Sequence, residues 1–213
     1  MRTMKLTNIV WTTAVIAAAI LLTAVLSTAS LRAQAEPEAE ARKNSGAGPG
    51  TKAGKAAQIA RGEYLVEIMG CHDCHTPAKM GPNGPEQDRS RALSGHPEEL
   101  VMPPAPALPP GPWVASIAAT FTAFASPGGT VFTRNLTPDK ETGLGDWTVE
   151  EFIATMKTGR ERGKGRPVLP PMPVQNLRAL SDSDIRALFA YLQSLPPIKN
   201  RIPQPIEAPD SKQ

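Results

Sequence analysis

The sequence predicts a mainly α domain with long proline- and glycine-rich loops. At two places, Thr148 and Ser181, a helix-capping residue precedes apolar residues at helical spacing. An earlier helical pattern begins at Lys55. The 213 residues include 23 Pro and 17 Gly, which is typical of long ordered loops rather than of a strand-dense domain. This length allows one modest domain plus accessory segments.

Residues 1–35 are predicted to be a targeting element. Lys5 and Arg32 bracket an uncharged stretch whose central part, residues 9–29, is mostly apolar. A membrane-spanning helix needs roughly 20 such residues, which favours an uncleaved anchor. The small-x-small pattern at residues 33–35 is instead typical of a signal-peptide cleavage site. Under both interpretations the positive charge precedes the apolar run, so the rest of the chain is expected to be exported.

Residues 36–55 are small, charged and without an apolar period, which predicts a flexible linker. The formal charge of +3 comes entirely from the first 35 residues, which hold Arg2, Lys5 and Arg32 and no acidic residue. The remainder is neutral and has no basic stripe interleaved with aromatic residues, so no nucleic-acid partner is expected.

A domain is predicted over residues 56–198, and it begins with a helix that ends at Gly70. The apolar stripe of this helix is expected to comprise Ile59, Tyr64, Leu65, Ile68 and Met69. Residues 76–135 are rich in Pro and Gly and predict extended, polyproline-like loop. Within them, residues 113–125 are consistent with either a short helix or a strand.

Two further helices are predicted by capping boxes. Thr148 and Glu151 start the first of them, and Gly159 ends it. Its apolar side is Phe152, Ile153 and Met156. Ser181 and Asp184 start the second, which the Pro196–Pro197 pair ends. Its apolar side is Ile185, Leu188, Phe189, Leu192 and Leu195. Residues 199–213 form a proline-rich tail that is expected to be irregular surface.

The segment Cys71-His72-Asp73-Cys74-His75 matches C-x-x-C-H, the attachment motif of c-type haem. Two thiols three residues apart can each bond one vinyl group of a haem, and the adjoining His75 then lies over the iron as proximal ligand. His72, between the cysteines, is expected to be a partly exposed spacer. The alternatives are a thioredoxin-like redox pair, a structural zinc site and a plain disulfide. Each of these fits less well. A redox pair would need a βαβ context, a zinc site would need ligands from more separate segments, and a disulfide would leave His75 without a role.

The second axial ligand of the iron decides the function, because a thioether there gives a high-potential electron carrier. The candidates are Met80, Met102, Met156, Met172 and His96. Met80 is too close to His75 in the chain, and Met156 is expected to be core filler. Met172 is favoured, since its proline-bounded loop directly precedes the strongest helix. Met102 and His96 remain the alternatives.

The domain resembles the class I c-type cytochromes, especially the modules of periplasmic dehydrogenase cytochrome subunits and of diheme cytochromes c. The stretches that carry the resemblance are ARGEYLVEIMGCHDCHT, NLTPDKETGLGDWTVEEFIATMKTGR, LPPMP and LSDSDIRALFAYLQSLPP. It implies a class I cytochrome c fold with a long Pro/Gly-rich loop insertion, and Met172 as the distal iron ligand. The chain departs from diheme relatives in having a single haem motif.

The resemblance also implies packing of the first helix across the last. Gly62 and Tyr64 are the candidates to face Ala190 and Tyr191. A haem-ligating histidine donates its other ring N–H to a fixed acceptor. For His75, the carbonyls of Pro82 and Pro85 are the candidate acceptors.

The expected function is therefore single-electron transfer by one covalently attached haem c, held by Cys71, Cys74, His75 and Met172. We expect an electron-transfer protein rather than an enzyme, located on the periplasmic side of the bacterial inner membrane and anchored there if the N-terminal segment is uncleaved. Its redox partners would be a dehydrogenase as donor and a cytochrome or oxidase as acceptor. A basic cluster, Lys157, Arg160, Arg162, Lys164 and Arg166, is consistent with an acidic redox partner, with haem propionates or with a solvated loop.

Two other function classes remain as alternatives. A haem-based sensor or small peroxidase would keep His75 as the only protein ligand and leave the distal side of the iron open. An interaction module without haem would join the two cysteines in a disulfide.

Overall fold

The structure is a computed structural model that describes residues 51–106, 108 and 111–207. The predicted targeting element and most of the linker lie outside the described residues, as does the end of the chain. Among the residues that the structure does describe, no helix is long and apolar enough to cross a membrane.

Five α-helices occur in the described part of the chain, and the first, third and fifth of them lie close to the three predicted positions, whereas the two short ones were not predicted. They are α1 Lys52–Ile68, α2 Cys71–His75, α3 Val149–Thr158, α4 Val174–Arg178 and α5 Asp182–Leu192. The capping box of α3 is confirmed: the Thr148 side chain accepts from the Glu151 N–H, and the Glu151 carboxylate accepts from the Thr148 N–H. Ser181 caps α5 through the Asp184 N–H, but the Asp184 carboxylate pairs with Arg61 of α1.

The main core lies where α1, α3 and α5 meet. Its buried members are Leu65, Val66, Leu93, Leu144, Phe152, Ile185, Ala187, Leu188 and Leu192. Phe152 of α3 and Phe189 of α5 stack with ring centroids 5.2 Å apart. The apolar side predicted for α5 is thus confirmed.

The buried face of α1 differs from the prediction. Gly62, Leu65 and Val66 are buried, whereas Tyr64 and Ile68 are more than half exposed. The face is centred on Gly62, which approaches Ala187 and Tyr191 of α5 so closely that a side chain would not fit. The predicted pairing of Gly62 with Tyr191 is confirmed, but Ala187 replaces Ala190 and Tyr64 takes no part in this close contact.

The proline-rich segment 76–135 contributes five strands to two small antiparallel sheets, so the expectation of a polyproline-like loop is wrong where these strands form. The first sheet pairs β1 Ala78–Gly81 with β2 Gly84–Gln87. The second has the order β3 Ser116–Ile117, β4 Ala123–Ser126, β5 Gly129–Phe132 and β6 Ile206–Glu207. Pro-Asn and Pro-Gly pairs connect the strands at residues 82–83 and 127–128, because proline presets the backbone at the first corner of a turn.

The segment after α5 is part of the fold, contrary to the expectation of irregular surface. Asn200 is fully buried, and Ile202 lies with Ala123 and Phe132 in a second apolar cluster. β6 then adds a strand beside β5. The C-terminal segment therefore joins the sheet to the helical part of the domain.

Candidate functional site

The two cysteines and His75 lie together on the short helix α2. Gly70, with a left-handed φ of 66°, separates α1 from α2 and allows the chain to turn sharply between them. Cys71 and Cys74 are both free thiols and both half-buried. Burial raises the pKa of Cys71 to about 11 and also raises that of Cys74, so both are protonated thiols at neutral pH.

His75 has the geometry of a metal-ligating histidine. The side chain is buried, and Nδ1 donates to the main-chain carbonyl of Arg134 over 2.8 Å. A carbonyl can only accept, so the proton sits on Nδ1. Burial lowers the pKa of His75, which leaves a neutral ring with its lone pair on Nε2. The structure records no hydrogen bond from Nε2 to any residue that it describes.

The acceptor for His75 is not one of the prolines suggested by the sequence. Pro82 lies at the β1–β2 turn, and Pro85 pairs with Met80 in the hairpin. Main-chain hydrogen bonds of residues just before and just after Arg134 in the chain hold its carbonyl in position. His96 donates its N–H to the Thr133 carbonyl over 3.1 Å, and Leu136 donates to the Leu93 carbonyl over 2.8 Å.

His72 is buried, so the prediction of a partly exposed spacer is wrong. Its Nδ1 lies 2.7 Å from the Thr76 hydroxyl, which in turn accepts the Leu93 N–H over 2.9 Å. The hydroxyl accepts from Leu93 and has both a proton and a second lone pair left for the bond to the His72 ring, whose direction is set by the tautomer of the ring. His72 thus ties the end of α2 to the loop around Leu93, which is a structural role.

The structure separates the candidates for the second axial ligand. Met80 is 80% exposed on β1, and Met156 packs against the main core. Met102 packs against the second apolar cluster, beneath the sheet. His96 is fully buried, and both ring nitrogens already have partners: Nδ1 lies 3.0 Å from the Thr122 hydroxyl and Nε2 lies 3.0 Å from the Leu100 carbonyl. Both ring nitrogens of His96 are therefore engaged, while Met102 is only partly buried against the second cluster.

Met172 lies half-buried in the loop before α4, beside a cavity of about 510 Å³. Its N–H donates to the Leu169 carbonyl over 3.3 Å, and its carbonyl accepts the Val174 N–H over 2.9 Å. The cavity is also lined by Gly159, Val168 and Val174. It does not include the motif, and no hydrogen bond or ring contact among the described residues joins Met172 to α2.

Most of the basic cluster is engaged within the domain. Arg162 donates to both carboxylate oxygens of Glu151 and lies over the Trp147 ring, while Arg166 donates to Glu161. Lys157 lies 3.3 Å from Asp182, and Arg160 donates to the Gly165 carbonyl. These contacts neutralise or occupy four of the five cations. They favour the interpretation of the basic cluster as a structural loop and count against a free docking patch for a partner.

Sequence reasoning missed three residues at this site: Arg134, Thr76 and Glu161. Arg134 contributes a main-chain carbonyl, for which residue type gives no signal. Thr76 acts only because its hydroxyl meets the amide of Leu93, 17 residues away. Glu161 lies among the predicted basic residues and binds two arginines, Arg134 and Arg166. Charge alternation along residues 160–166 was the one signal available for it.

Comparisons with known proteins agree with this site. A family model described as cytochrome c matches residues 59–196. A nicotinate dehydrogenase of Pseudomonas putida has a subunit that is 40% identical over 81 residues, 38% of this chain and 7% of that protein. The alcohol dehydrogenase (quinone) cytochrome c subunit of Gluconobacter oxydans is 32% identical over 135 residues, 63% of this chain and 21% of that protein. The gluconate 2-dehydrogenase cytochrome c subunit of Pantoea cypripedii is 30% identical over 135 residues, 63% of this chain and 22% of that protein.

The chain spans less than a quarter of the length of each of these relatives. The family match covers more than half of the chain and includes the whole of α1 to α5 except the first residues of α1. The donor set at the motif fits the cofactor of this family, because it offers two free thiols and a neutral imidazole with an available nitrogen. The chain belongs to the cytochrome c family, and its single C-x-x-C-H motif at Cys71–His75 implies one covalently bound haem c.

Proposed function

We propose that this protein is a monohaem electron carrier in which Cys71 and Cys74 hold the haem covalently, while His75 and Met172 bind the iron from opposite faces. The observation that carries this proposal is the orientation of His75. Its Nδ1–H is bound to the Arg134 carbonyl, so Nε2 is left as the only ring nitrogen that can bind a metal. Haem, when bound, supplies an iron that exchanges one electron between Fe(II) and Fe(III).

The residues around His75 hold the ring in position. The Arg134 carbonyl fixes the tautomer and raises the basicity of the ligating nitrogen, as acceptors of this kind do for metal-bound histidines. The His75 carbonyl accepts the Gly95 N–H over 2.8 Å, and the Thr76 hydroxyl accepts the Leu93 N–H. Two main-chain N–H groups of the loop around Leu93 therefore hydrogen-bond to the end of α2, one to a carbonyl and the other to a side chain.

Met172 is the proposed distal ligand because its competitors are otherwise engaged. Met102 and Met156 are packed in apolar clusters, and His96 has both nitrogens bonded. Met172 has a half-buried side chain and an adjacent cavity. A thioether ligand favours Fe(II), so this choice gives a raised reduction potential and an electron carrier rather than a ligand-binding haem.

The relatives named above support a role beside a dehydrogenase, since two of them are cytochrome c subunits of dehydrogenases. We extend this to the donor of this chain, with a cytochrome or oxidase as acceptor. The apolar segment within residues 1–35 supports export to the periplasmic side of the inner membrane, as an anchored or a processed protein.

The test is haem staining of a denaturing gel, followed by absorption spectra of the exported full chain. Covalent haem survives denaturation, so a stained band is expected for wild type and none for Cys71→Ser/Cys74→Ser. The oxidised wild type is expected to show the weak sulfur-to-iron charge-transfer band. This band should disappear in Met172→Ala and persist in Met102→Ala and Met156→Ala.

Two outcomes would contradict the proposal. A band that survives in Met172→Ala would show that another group binds the iron. Rapid binding of CO to the reduced wild type, with no charge-transfer band when oxidised, would indicate an open distal side and a sensor or peroxidase instead.

A further inference from the structure

One carboxylate connects the two chain segments on which the proposed iron ligands depend. Glu161 is the first residue of a 3-10 turn, Glu161–Gly163, which follows the end of α3. Its Oε1 accepts from Arg134 Nη2 over 3.1 Å, and its Oε2 accepts from Arg166 Nε over 3.0 Å. The side chain is 32% exposed, so both ion pairs are partly shielded from water.

The Arg134 side of this bridge leads to the proximal histidine. The same residue whose guanidinium binds Glu161 presents the carbonyl that accepts from His75 Nδ1. A residue that is held at both its side chain and its main chain has little freedom to rotate. Glu161 therefore restricts the position of the acceptor for His75 without touching the histidine itself.

The Arg166 side of the bridge leads to the loop of Met172. The Glu161 N–H donates to the Arg166 carbonyl over 3.0 Å. Arg160 and Pro167 form an isolated antiparallel β-bridge. Val168 next donates to the Gly159 carbonyl over 2.9 Å. Residues 159–168 thus form a closed loop, and Met172 lies four residues beyond its end.

The positive charges of Arg134 and Arg166 explain why Glu161, which binds both of them, must be an acid. Without Glu161, the guanidinium groups of Arg134 and Arg166 would be two partly buried like charges with no shared counter-ion. Their repulsion would separate the segment of the His75 acceptor from the segment that leads to Met172.

From this arrangement we infer that Glu161 is a positioning residue for the iron centre, coupling the proximal hydrogen bond of His75 to the loop that carries Met172. This role rests on the proposed function and requires no contact between Glu161 and the haem. The strength of the His75–Arg134 hydrogen bond, and with it the reduction potential, depends on the Glu161 carboxylate.

The test compares Glu161→Gln with a matched control, Glu151→Gln. Glu151 is 31% exposed and accepts two bonds from Arg162 at 2.8 and 2.9 Å, but it is not bonded to Arg134. Glutamine still completes the capping box of α3, so the control removes a paired charge without removing a helix cap. Both variants are made in the haem-bound full chain.

The readouts are hydrogen exchange of the His75 Nδ1–H by NMR and the reduction potential. In Glu161→Gln we expect exchange to be faster by up to about tenfold, the factor that corresponds to losing the net stabilisation of one hydrogen bond. The potential should rise, because a weaker hydrogen bond makes His75 a poorer donor to Fe(III). Glu151→Gln should leave the exchange rate of this proton unchanged.

A double-mutant cycle decides whether the effect passes through Arg134. Arg134→Met keeps the main-chain carbonyl and removes the guanidinium, so it should accelerate exchange as Glu161→Gln does. The double variant should add nothing beyond either single change. Additive effects, or equal exchange in Glu161→Gln and Glu151→Gln, would overturn the inference. A wild type without covalent haem would instead overturn the proposed function, and haem staining detects that separately.

Discussion

Gly62 of α1 lies so close to Ala187 of α5 that a methyl group on Gly62 would come within 2.0 Å of the Ala187 carbonyl oxygen. The same methyl group would lie 2.7 Å from Cβ of Tyr191. Neither neighbour can yield easily, because one is main chain and the other is the first atom of a packed side chain. The absence of a side chain at residue 62 thus sets the distance between the helix that leads into the haem motif and the last helix.

Gly62→Ala is therefore expected to destabilise the protein, although alanine is the better helix former. Overpacking typically costs about 1–3 kcal/mol, against a propensity gain of about 1 kcal/mol. Thermal or urea unfolding of the haem-bound protein measures the difference. Glu63→Ala, at an exposed position of the same helix, serves as control and should be neutral or slightly stabilising. An unchanged midpoint for Gly62→Ala would mean that the two helices separate without cost.

The features that sequence reasoning identified correctly are those set by local chemistry. The C-x-x-C-H motif and the N-terminal caps at Thr148 and Ser181 each depend on residues within a few positions of one another. α1 shows where such reasoning fails. Tyr64 and Ile68 lie one turn apart and are apolar enough to suggest a buried face. The true face is rotated toward Val66, because contact with α5 requires Gly62 at its centre.

The candidate site was predictable in its thiols and in the identity of its histidine, but not in what surrounds them. The acceptor of His75 is a carbonyl 59 residues away, and main-chain groups are the same at every position. The burial of His72 depends on Thr76 and Leu93 together. The edge strand β6 pairs with β5 from more than 70 residues further along the chain, a pairing that has no local signal. The distal role of Met172 stays a prediction.

Asn200 is expected to be among the most sensitive positions outside the site. Its Nδ2 donates to the Ser94 and His96 carbonyls, and its Oδ1 accepts from Glu98 N–H and Arg91 Nη2. Asn200→Ala leaves buried main-chain groups without partners, so a loss of about 3 kcal/mol or more in the free energy of unfolding is expected. Urea unfolding measures this loss.

Gln204→Ala is the matched control for Asn200→Ala. Gln204 lies in the same C-terminal segment, is exposed, and makes no side-chain hydrogen bond recorded within the described residues. A change of less than about 0.5 kcal/mol is expected for it. Equal effects of the two substitutions would contradict the view that the segment is anchored through Asn200.

The stability of the protein should fall with pH below neutrality, in part because of His96. The ring is fully buried, packs 4.8 Å from the Phe132 ring centroid, and donates from Nε2 to the Leu100 carbonyl. In the neutral ring Nδ1 is then the acceptor, and the Thr122 hydroxyl donates to it. Burial lowers the pKa of His96, and nearby Arg91 lowers it further, while the Leu100 carbonyl and Glu99 raise it.

The sign of this effect follows from the two states. In the unfolded chain the imidazole has a pKa of about 6.5, so below that pH the unfolded state binds a proton that the folded state excludes. The contribution of neutral, buried His96 to the free energy of unfolding is therefore fully present above about pH 6.5. It is lost as the pH falls from there toward the lowered pKa of the folded state. Urea unfolding of haem-bound wild type and His96→Gln at several pH values between about 8 and 5 tests this.

His96→Gln is expected to be less stable than wild type at neutral pH and to lose less stability on acidification. Glutamine can still donate to the Leu100 carbonyl but has no proton to gain in this range. His72, whose pKa is also lowered by burial, remains in the variant, so some pH dependence should persist. Parallel stability curves for the two proteins would show that His96 binds a proton equally in the folded and unfolded states, which is incompatible with its buried, neutral hydrogen-bond pattern.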